Sequence, residues 1–329
     1  MKLRKLGKNG PEVSQVGLGC MGMSDFYGTK ETRSREESIA TIHEALDSGI
    51  NFLNTGDFYG TGHNELLISE ALKGRKNKPM ISVKFGGLRS PSGAFIGYDF
   101  RPNSVKNFAA HSLTRLGVDV IDIYQASRVD PEIPIEETVG AIADLIKEGY
   151  VRYLGLSEAS PENLRRAHKV HPVTALEVEY SLATRVIEKE LLDTARELGV
   201  AIVPYGIVGR GLLTGKIENS LGVPDFRSNS PRFQGKNLEA NLERVSLLQE
   251  LAKKKGCSTA QLAIAWVLHR GEDIVPLIGS TRRASLRENL EALSVQLSPE
   301  ELKTLDESFP DGAFQGDRYP SHLMQLVVK

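Results

Sequence analysis

Two side chains that can hold or transfer a proton lie at the ends of apolar stretches of this sequence. Tyr59 lies in LNTGDFYG (53–60), which follows a strand-like segment, and Lys84 lies near the end of MISVKFG (80–86). In an extended strand the large apolar side chains of MISVKFG share one face, so Lys84 points to the other. A lysine directed into the interior is costly unless it is paired or used. Lys84 is therefore a candidate catalytic residue.

Further polar candidates surround Tyr59. Asn54 and Asp57 lie in the same segment, and His63 follows in TGHNE. His63 could hold a metal or move a proton beside Asp57 and Glu65, but a lone histidine more often makes a loop hydrogen bond. The other histidines lack metal-ligand spacing, so no metal site is predicted.

Short β-like runs and amphipathic helical segments alternate along the chain. Strands are predicted at residues 15–20, 51–56, 80–86, 120–127, 151–158, 175–182, 201–206 and 273–280. Eight strand–helix units without a break in composition favour a closed (β/α)8 TIM barrel, in the α/β class, over an open doubly wound sheet. One domain over residues 1–329 is predicted.

Two segments fall outside the strand–helix repeat. The first fifteen residues contain Asn9-Gly10, which predicts an N-terminal β-hairpin that plugs the barrel from beneath. Residues 207–237 form a long loop rich in Gly, Pro and Ser after strand 7, and a helix is predicted at about 238–255. A loop of this length is usually a lid or a binding loop, the alternative being a disordered insertion. The tail after Pro310 shows no clear periodicity.

Composition excludes several classes of protein. The 329 residues have a formal net charge of -1 and are 40% hydrophobic, so neither a nucleic-acid partner nor an anionic membrane is expected. No apolar run is long enough for a signal peptide or a transmembrane segment. Cys20 and Cys257 form no CxxC pair, which argues against a disulfide scaffold or a zinc site and fits a cytoplasmic protein. A monomer or a weak homo-oligomer is expected.

Seven segments resemble, in the same order, segments of the aldo-keto reductase family, over nearly the whole chain. They are NFLNTGDFYG, ISVKFG, DVIDIYQASRVDP, YVRYLGLSEAS, ALEVEYSL, VPYGIVGRGLLTGK and IGSTRRASLRENL. Each segment is weakly specific alone, but seven in order are specific together. The resemblance implies an NADPH-dependent carbonyl reductase on a (β/α)8 barrel, with the active site at the carboxyl ends of the strands.

The family has a catalytic tetrad of an aspartate, a tyrosine five residues later, a lysine and a histidine. The tyrosine matches Tyr59 and the lysine matches Lys84, whereas Asn54 replaces the aspartate and Ser127 replaces the histidine. Hydride that reaches a carbonyl carbon leaves an oxyanion, which the phenol can protonate while the ammonium stabilises the phenolate. Asn54 cannot offset the lysine charge, and Asp57 is the possible substitute.

Because Ser127 cannot carry a positive charge either, the sequence predicts real but weak or narrow reduction of a small aldehyde or ketone. The alternative is an NADP(H)-binding sensor or interaction module with little turnover. If no other group balances Lys84, Asn54→Asp should raise the rate.

The resemblance also implies a cofactor site. In the family a serine–asparagine pair and a glutamine hold the nicotinamide carboxamide; the matching positions are Ser157, Glu158 and Glu177. Both glutamates accept hydrogen bonds but cannot donate them unless protonated. The positions matched to the ring-stacking aromatic and the pyrophosphate loop are Tyr205, Gly206, Gly209, Arg210, Gly211 and Leu212.

A second cofactor segment lies after the last strand, where a helix N-terminus favours a phosphate. An arginine pair there indicates NADP over NAD, because the 2′-phosphate needs cationic partners. The residues predicted for the phosphate and adenine contacts are Gly279, Ser280, Thr281, Arg282, Arg283, Glu288 and Asn289.

A Rossmann-type dinucleotide site is the rival interpretation, since GLGCMG (17–22) satisfies GxGxxG. The sequence context disfavours it, because no helix is predicted directly after the third glycine. Phe26 and Tyr27, which follow in the same loop, could line a substrate pocket or pack as part of a lid.

Overall fold

An eight-stranded parallel barrel forms the centre of the molecule. The structure is a computed structural model that describes residues 1–29, 31–218, 221 and 225–328. Each predicted barrel strand has a counterpart, and hydrogen bonding links them in chain order around the sheet. The sheet closes through a parallel bridge between Ile202 and Ile274. Helices lie between the strands, so the predicted (β/α)8 barrel is confirmed.

The barrel strands alternate with the main helices. The strands of the described residues are β1 Leu3–Lys5, β2 Glu12–Ser14, β3 Gly17–Gly19, β4 Phe52–Gly56, β5 Met80–Phe85, β6 Gly87–Arg89, β7 Phe95–Tyr98, β8 Ile121–Ala126, β9 Val151–Ser157, β10 Val173–Glu179, β11 Ala201–Tyr205 and β12 Leu277–Gly279. The helices are α1 Arg35–Asp47, α2 His63–Ala71, α3 Pro102–Leu116, α4 Ile135–Lys147, α5 Pro161–Val170, α6 Leu191–Leu198, α7 Gly235–Lys255, α8 Thr259–Leu268, α9 Arg283–Leu290, α10 Pro299–Ser308 and α11 Ser321–Met324.

Local capping explains where several helices begin and end. Ser34 caps α1 by accepting the Glu37 N–H, and Ser160 caps α5 in the same way. Gly117 and Gly256 end α3 and α7 in the left-handed conformation, which costs glycine little. These caps fix how each helix leaves the adjoining strand, and so set the strand ends that carry the site.

The N-terminal hairpin closes the lower end of the barrel, as predicted. Strands β1 and β2 pair antiparallel, with Arg4 opposite Val13. Leu6 and Val13 are fully buried against apolar lumen residues, including Phe52 and Ile123. The lower lumen is therefore a packed apolar core, and polar side chains are confined to its upper end.

The ends of two barrel strands differ from the prediction. The last strand, predicted over 273–280, is regular only at Leu277–Gly279, because Pro276 has no N–H with which to extend the ladder. Strand β10 begins at Val173, two residues before its predicted start.

Three segments that the sequence left undefined have structure. Residues 87–98 form the β6–β7 hairpin directly after β5, which sequence reasoning missed. The described residues of the loop predicted over 207–237 include three short 3-10 helices, and α7 begins at Gly235, earlier than predicted. Residues 219, 220 and 222–224 of this loop lie outside the described residues. The tail after Pro310 returns to the strand ends.

Candidate active site

Tyr59 and Lys84 meet at the upper end of the barrel. Lys84 points inward from β5, and Tyr59 lies on the loop after β4. The Lys84 Nζ atom is 5.3 Å from the centroid of the Tyr59 ring. Gly56 allows this approach, since a Cβ there would lie 3.2 Å from the ring. The predicted meeting of phenol and ammonium is confirmed, and both side chains are buried.

The side chains that hold the Lys84 ammonium come from two other strands. Its Nζ donates to Asn54 Oδ1 at 2.6 Å and to Glu177 Oε2 at 3.1 Å, and lies 3.0 Å from Glu177 Oε1. Asp57 forms no ion pair with it among the described residues; burial, followed by the nearby Glu65 carboxylate, raises the pKa of Asp57 well above its ordinary value. The suggestion that Asp57 balances Lys84 is therefore wrong.

Glu177 also accepts two amide hydrogen bonds. Asn54 Nδ2 donates to its Oε2 at 2.7 Å, and Gln125 Nε2 donates to the same oxygen at 2.6 Å. Gly155 on β9, between the strands of Gln125 and Glu177, makes this reach possible. A Cβ at Gly155 would lie 3.0 Å from Gln125 side-chain atoms. Gln125 lies at a predicted strand end, but nothing in its local sequence indicated this role.

Burial and Glu177 set the protonation of the pair. Burial lowers the pKa of Lys84, and the adjacent Glu177 carboxylate raises it in opposition. Burial raises the pKa of Tyr59 well above its ordinary value, as does Glu177, while Arg128 acts in the opposite direction. The phenol is thus protonated at neutral pH. No described residue makes a hydrogen bond with its hydroxyl.

Two buried serine hydroxyls beside this pair have no hydrogen-bond partner in the described part of the chain. They belong to Ser127, after β8, and Ser157, at the end of β9. Buried hydroxyls are normally satisfied, so both of these can still hydrogen-bond a ligand at the strand ends. They are the residues predicted to contact the substrate oxygen and the nicotinamide carboxamide, and those roles stay predictions.

Glu158 is engaged by the C-terminal tail. Arg318 donates to both carboxylate oxygens, at 3.0 and 2.7 Å, and the Val328 N–H and the Tyr205 hydroxyl donate to them as well. Burial raises the pKa of Glu158, but Arg318 and Arg128 outweigh it and hold the pKa down to about 2. The prediction that Glu158 contacts the cofactor stays untested, and its carboxylate already accepts five hydrogen bonds, the fifth from the Glu179 N–H. Nothing in the tail sequence marked Arg318.

Tyr319 connects the tail to the predicted cofactor loop. Its hydroxyl lies 3.2 Å from the Tyr205 hydroxyl, and the guanidinium carbon of Arg210 lies 4.0 Å from its ring centroid. Arg210 also donates to Glu179 Oε2 at 2.7 Å. Arg128 donates to the Ser127 carbonyl and to Tyr319, and no carboxylate in the described residues pairs with it.

The predicted pyrophosphate loop turns sharply beside these arginines. Gly206, Gly209, Arg210 and Gly211 all have positive φ, which packs their backbone into a tight bend. Leu212 points into the apolar core and is fully buried, so its side chain anchors the loop. Any contact of Leu212 with a cofactor would use its backbone.

The second predicted cofactor segment surrounds the N-terminus of α9. The buried Ser280 hydroxyl, directly after β12, accepts from Asn289 Nδ2 at 3.1 Å. Arg283 pairs with Glu37 of α1. Arg282 makes no ion pair with any described residue.

Aromatic side chains form a wall above Tyr59. The rings of Phe26 and Phe58 lie 5.7 and 4.9 Å from the Tyr59 ring, both edge to face. Phe226, from the long loop, packs on Phe26 and Tyr27. The long loop therefore takes part in enclosing the site.

Two alternatives from the sequence are settled by geometry. GLGCMG forms β3 and a 3-10 turn at Met21–Met23 rather than a strand followed by a helix, so the Rossmann interpretation is wrong. His63 Nδ1 makes a 2.8 Å hydrogen bond with Ser24 Oγ, the loop role expected of it. The described residues contain no metal-binding cluster, and none of their helices is long and apolar enough to cross a membrane.

A (β/α)8 barrel with a buried tyrosine–lysine pair at the carboxyl ends of its strands defines a barrel enzyme site. Comparison with known proteins makes the class specific. Residues 16–309 match the model of the aldo/keto reductase family. The chain belongs to this family, whose members are oxidoreductases acting on carbonyl groups.

Individual relatives agree over most of the chain. The chain is 43% identical over 318 residues to a probable aldo-keto reductase 1 of Glycine max, covering 96% of this chain and 91% of that protein. The glycerol dehydrogenase AKR11B4 from Gluconobacter oxydans is 31% identical, with a TM-score of 0.83 over 93% of this chain and 94% of that chain. The thermostable aldo-keto reductase Tm1743, in complex with the inhibitor epalrestat, is 29% identical, with a TM-score of 0.74 over 94% and 100%.

Proposed function

We propose that this chain reduces a small aldehyde or ketone to an alcohol with NADPH, and that Tyr59 donates the proton. When bound, the reduced nicotinamide supplies a hydride to the carbonyl carbon. Tyr59 gives its hydroxyl proton to the carbonyl oxygen, and water later returns a proton to the phenolate. The net reaction consumes one carbonyl, one NADPH and one proton, and forms one alcohol and one NADP⁺.

The observation that carries the proposal is the contact between Lys84 and Tyr59. An ammonium 5.3 Å from the ring centroid stabilises the phenolate formed during proton transfer. The lysine is held by Asn54 and Glu177 on other strands, so its position is fixed before a substrate arrives. Such preorganisation is what an efficient general acid requires.

The residues at the strand ends fit a nicotinamide dinucleotide. The orphan hydroxyls of Ser157 and Ser127 are suited to an amide and to a substrate oxygen. Arg128, which has no carboxylate partner among the described residues, brings a cation to the same rim, which favours an anionic ligand. Tyr205 would stack on the nicotinamide ring. Other residues already engage the carboxylates of Glu158 and Glu177, so Ser157 would make the carboxamide contact.

The α9 segment supports the phosphate form of the cofactor. Arg282, free of ion pairs with described residues, and the exposed Arg283 would hold the 2′-phosphate. The Arg283–Glu37 pair is exposed, so a competing phosphate can displace it at little cost. The Ser280 and Thr281 side chains and the N–H groups of the first turn of α9 would supplement them, with Glu288 and Asn289 near the adenine. We assign NADP(H) rather than NAD(H) on this basis, within one catalytic domain over 1–329.

The remaining expectations are also proposals. Phe26, Phe58 and Phe226 form an aromatic wall beside Tyr59, and we expect such a wall to favour small substrates and a narrow range. We expect a cytoplasmic enzyme, monomeric or weakly self-associating, without nucleic-acid or membrane partners.

The test follows loss of NADPH absorbance with a panel of aldehydes and ketones. Wild type should oxidise NADPH on at least one carbonyl and bind NADPH more tightly than NADH. Tyr59→Phe should lower kcat by about 10²–10⁴-fold, the usual contribution of a general acid, while NADPH affinity stays within a fewfold. Tyr150→Phe, at an exposed tyrosine, is the matched control and should leave kcat unchanged.

A sensor that binds NADP(H) without turnover is the second candidate. The observation in its favour is the C-terminal tail, whose Arg318 and Val328 occupy the Glu158 carboxylate. Tight NADPH binding with no oxidation on any carbonyl would support the sensor and contradict the reductase. Equal turnover in wild type and Tyr59→Phe would contradict the proposed proton donor.

A further inference from the structure

We propose that Glu177 is the counter-ion of Lys84 and thereby positions the catalytic ammonium, a role that falls to the aspartate in the family pattern. The inference rests on the proposed carbonyl reduction. It assigns Glu177 a positioning role in proton transfer in place of the nicotinamide contact that the sequence predicted.

The carboxylate that balances Lys84 comes from a different strand than in the family pattern. Asn54, on β4, offers Lys84 only a neutral carbonyl oxygen, at 2.6 Å. Glu177, on β10, reaches across the lumen and places both carboxylate oxygens 3.0–3.1 Å from Nζ. All three side chains are buried to at least 95%, so water screens the pair weakly. One negative charge still faces the lysine, but it comes from the opposite wall of the barrel.

Asn54 and Gln125 fit a carboxylate at position 177 and not an amide nitrogen. Both donate an N–H to Glu177 Oε2, at 2.7 and 2.6 Å, and Lys84 donates to it as well. Three donors converge on one oxygen, which only an acceptor can satisfy. A glutamine would have to present its carbonyl oxygen there, and its amide group would then face the ammonium.

The nicotinamide role competes poorly with this arrangement. Oε2 is saturated by three donors, and Oε1 lies 3.0 Å from the ammonium. A carboxamide could reach only Oε1, in competition with a charged donor. Charge-assisted hydrogen bonds are about twice as strong as neutral ones, so Lys84 takes precedence.

The consequence concerns the proton step. Burial alone disfavours the charged lysine, and a neutral amine cannot stabilise a phenolate. Glu177 keeps Lys84 as an ammonium, so that Tyr59 can lose its proton to the substrate oxygen. Asn54→Asp would place a second carboxylate beside the first, where one of the two must take up a proton. The structure therefore reverses the expectation that Asn54→Asp raises the rate: it should stay level or fall.

The experiment removes the carboxylate at position 177 and places one at position 54, separately and together. Four proteins are compared with wild type: Glu177→Gln, Asn54→Asp, the double variant Asn54→Asp/Glu177→Gln, and the exposed control Glu239→Gln. For each, kcat and KM for the carbonyl are measured against pH. NADPH affinity and the melting temperature Tm are measured separately, without substrate.

Glu177→Gln should lower kcat by about 10–100-fold, as loss of a buried partner of a charged group does, with KM and NADPH affinity little changed. Its Tm should fall by several degrees. The double variant should recover most of the kcat and the Tm, because the lysine regains one counter-charge. Glu239→Gln should match wild type throughout.

Each contrary result has a distinct meaning. Tighter NADPH binding by Glu177→Gln, with no rescue in the double variant, would overturn the inference in favour of the carboxamide role, because the amide that the family has at this position would then be restored. Unchanged kcat and Tm in Glu177→Gln would overturn it outright. If wild type reduces no carbonyl, the proposed function fails, and the Tm recovery of the double variant still tests the ion pair.

Discussion

Two glutamates at neighbouring strand ends have the same departure from the family pattern and different surroundings. Glu177 and Glu158 both stand where the family has an amide. Glu177 lies in the lumen and pairs with Lys84 of another barrel strand. Glu158 lies at the rim and pairs with Arg318 of the C-terminal tail. The cation that pairs with each carboxylate decides the effect of having a glutamate in place of the family's amide residue.

The Glu177–Lys84 and Glu158–Arg318 pairs differ in how easily their partners can separate. The strands that carry Glu177 and Lys84 are held in register by the sheet, so their pair cannot part without disrupting the barrel. Arg318 lies between α10 and α11 in a segment without helix or strand, and such a segment can lift away locally at a fraction of the global free energy of unfolding. The lumen pair is thus a permanent part of the site, whereas the rim pair can open.

Arg318→Ala tests most directly whether the Arg318–Glu158 pair at the rim can open without unfolding the barrel. Losing one partner of a buried pair costs about 3–5 kcal/mol when the other charge stays buried. Because the tail can lift and admit water to Glu158, we expect a smaller loss, about 1–3 kcal/mol. Urea unfolding gives the free energy, and hydrogen exchange after Gln315 should accelerate while exchange in β4 and β5 does not.

Arg101→Ala, which breaks an exposed pair with Asp99, is the matched control and should change little. Barrel-strand exchange that accelerates as much as tail exchange would show that the rim pair is as integral as the lumen pair, and the comparison would then break.

Acid should open the rim pair. The pKa of Glu158 in the folded protein, about 2, lies below its ordinary 4.5. A depressed carboxyl pKa contributes stability that is present above pH 4.5 and lost as the pH falls toward 2, here about 3 kcal/mol in all. Amide hydrogen exchange in the tail, relative to the intrinsic exchange rate at each pH, should accelerate as the pH falls through this window. In Glu158→Gln this acid dependence should be lost, and a persistent rise would assign it to another group.

The barrel was predictable because periodicity and strand-end chemistry are local signals. Lys84 could be placed in the lumen from the alternation in MISVKFG, and Tyr59 from its position after β4. The counter-ion of Lys84 could not be predicted, because Glu177 is 93 residues from Lys84 and only the closure of the barrel brings them together. Asp57, the carboxylate that the sequence offered as a substitute, does not pair with Lys84, whose partner is Glu177. Arg318 was missed because an irregular tail has no periodicity to read.

A change at Gly155 should perturb the lumen least. Alanine would place a methyl group 3.0 Å from Gln125 and Ile123 side-chain atoms, which a small shift of Gln125 can relieve. Overpacking of this kind costs about 1–3 kcal/mol. We expect Gly155→Ala to weaken the Gln125–Glu177 hydrogen bond and to lower kcat only a fewfold, because Lys84 and Asn54 still hold the carboxylate. Gly140→Ala, at a position where no atom lies within 4 Å, is the control. A loss of kcat as large as that of Glu177→Gln would mean that Gln125, more than the lysine, fixes the carboxylate.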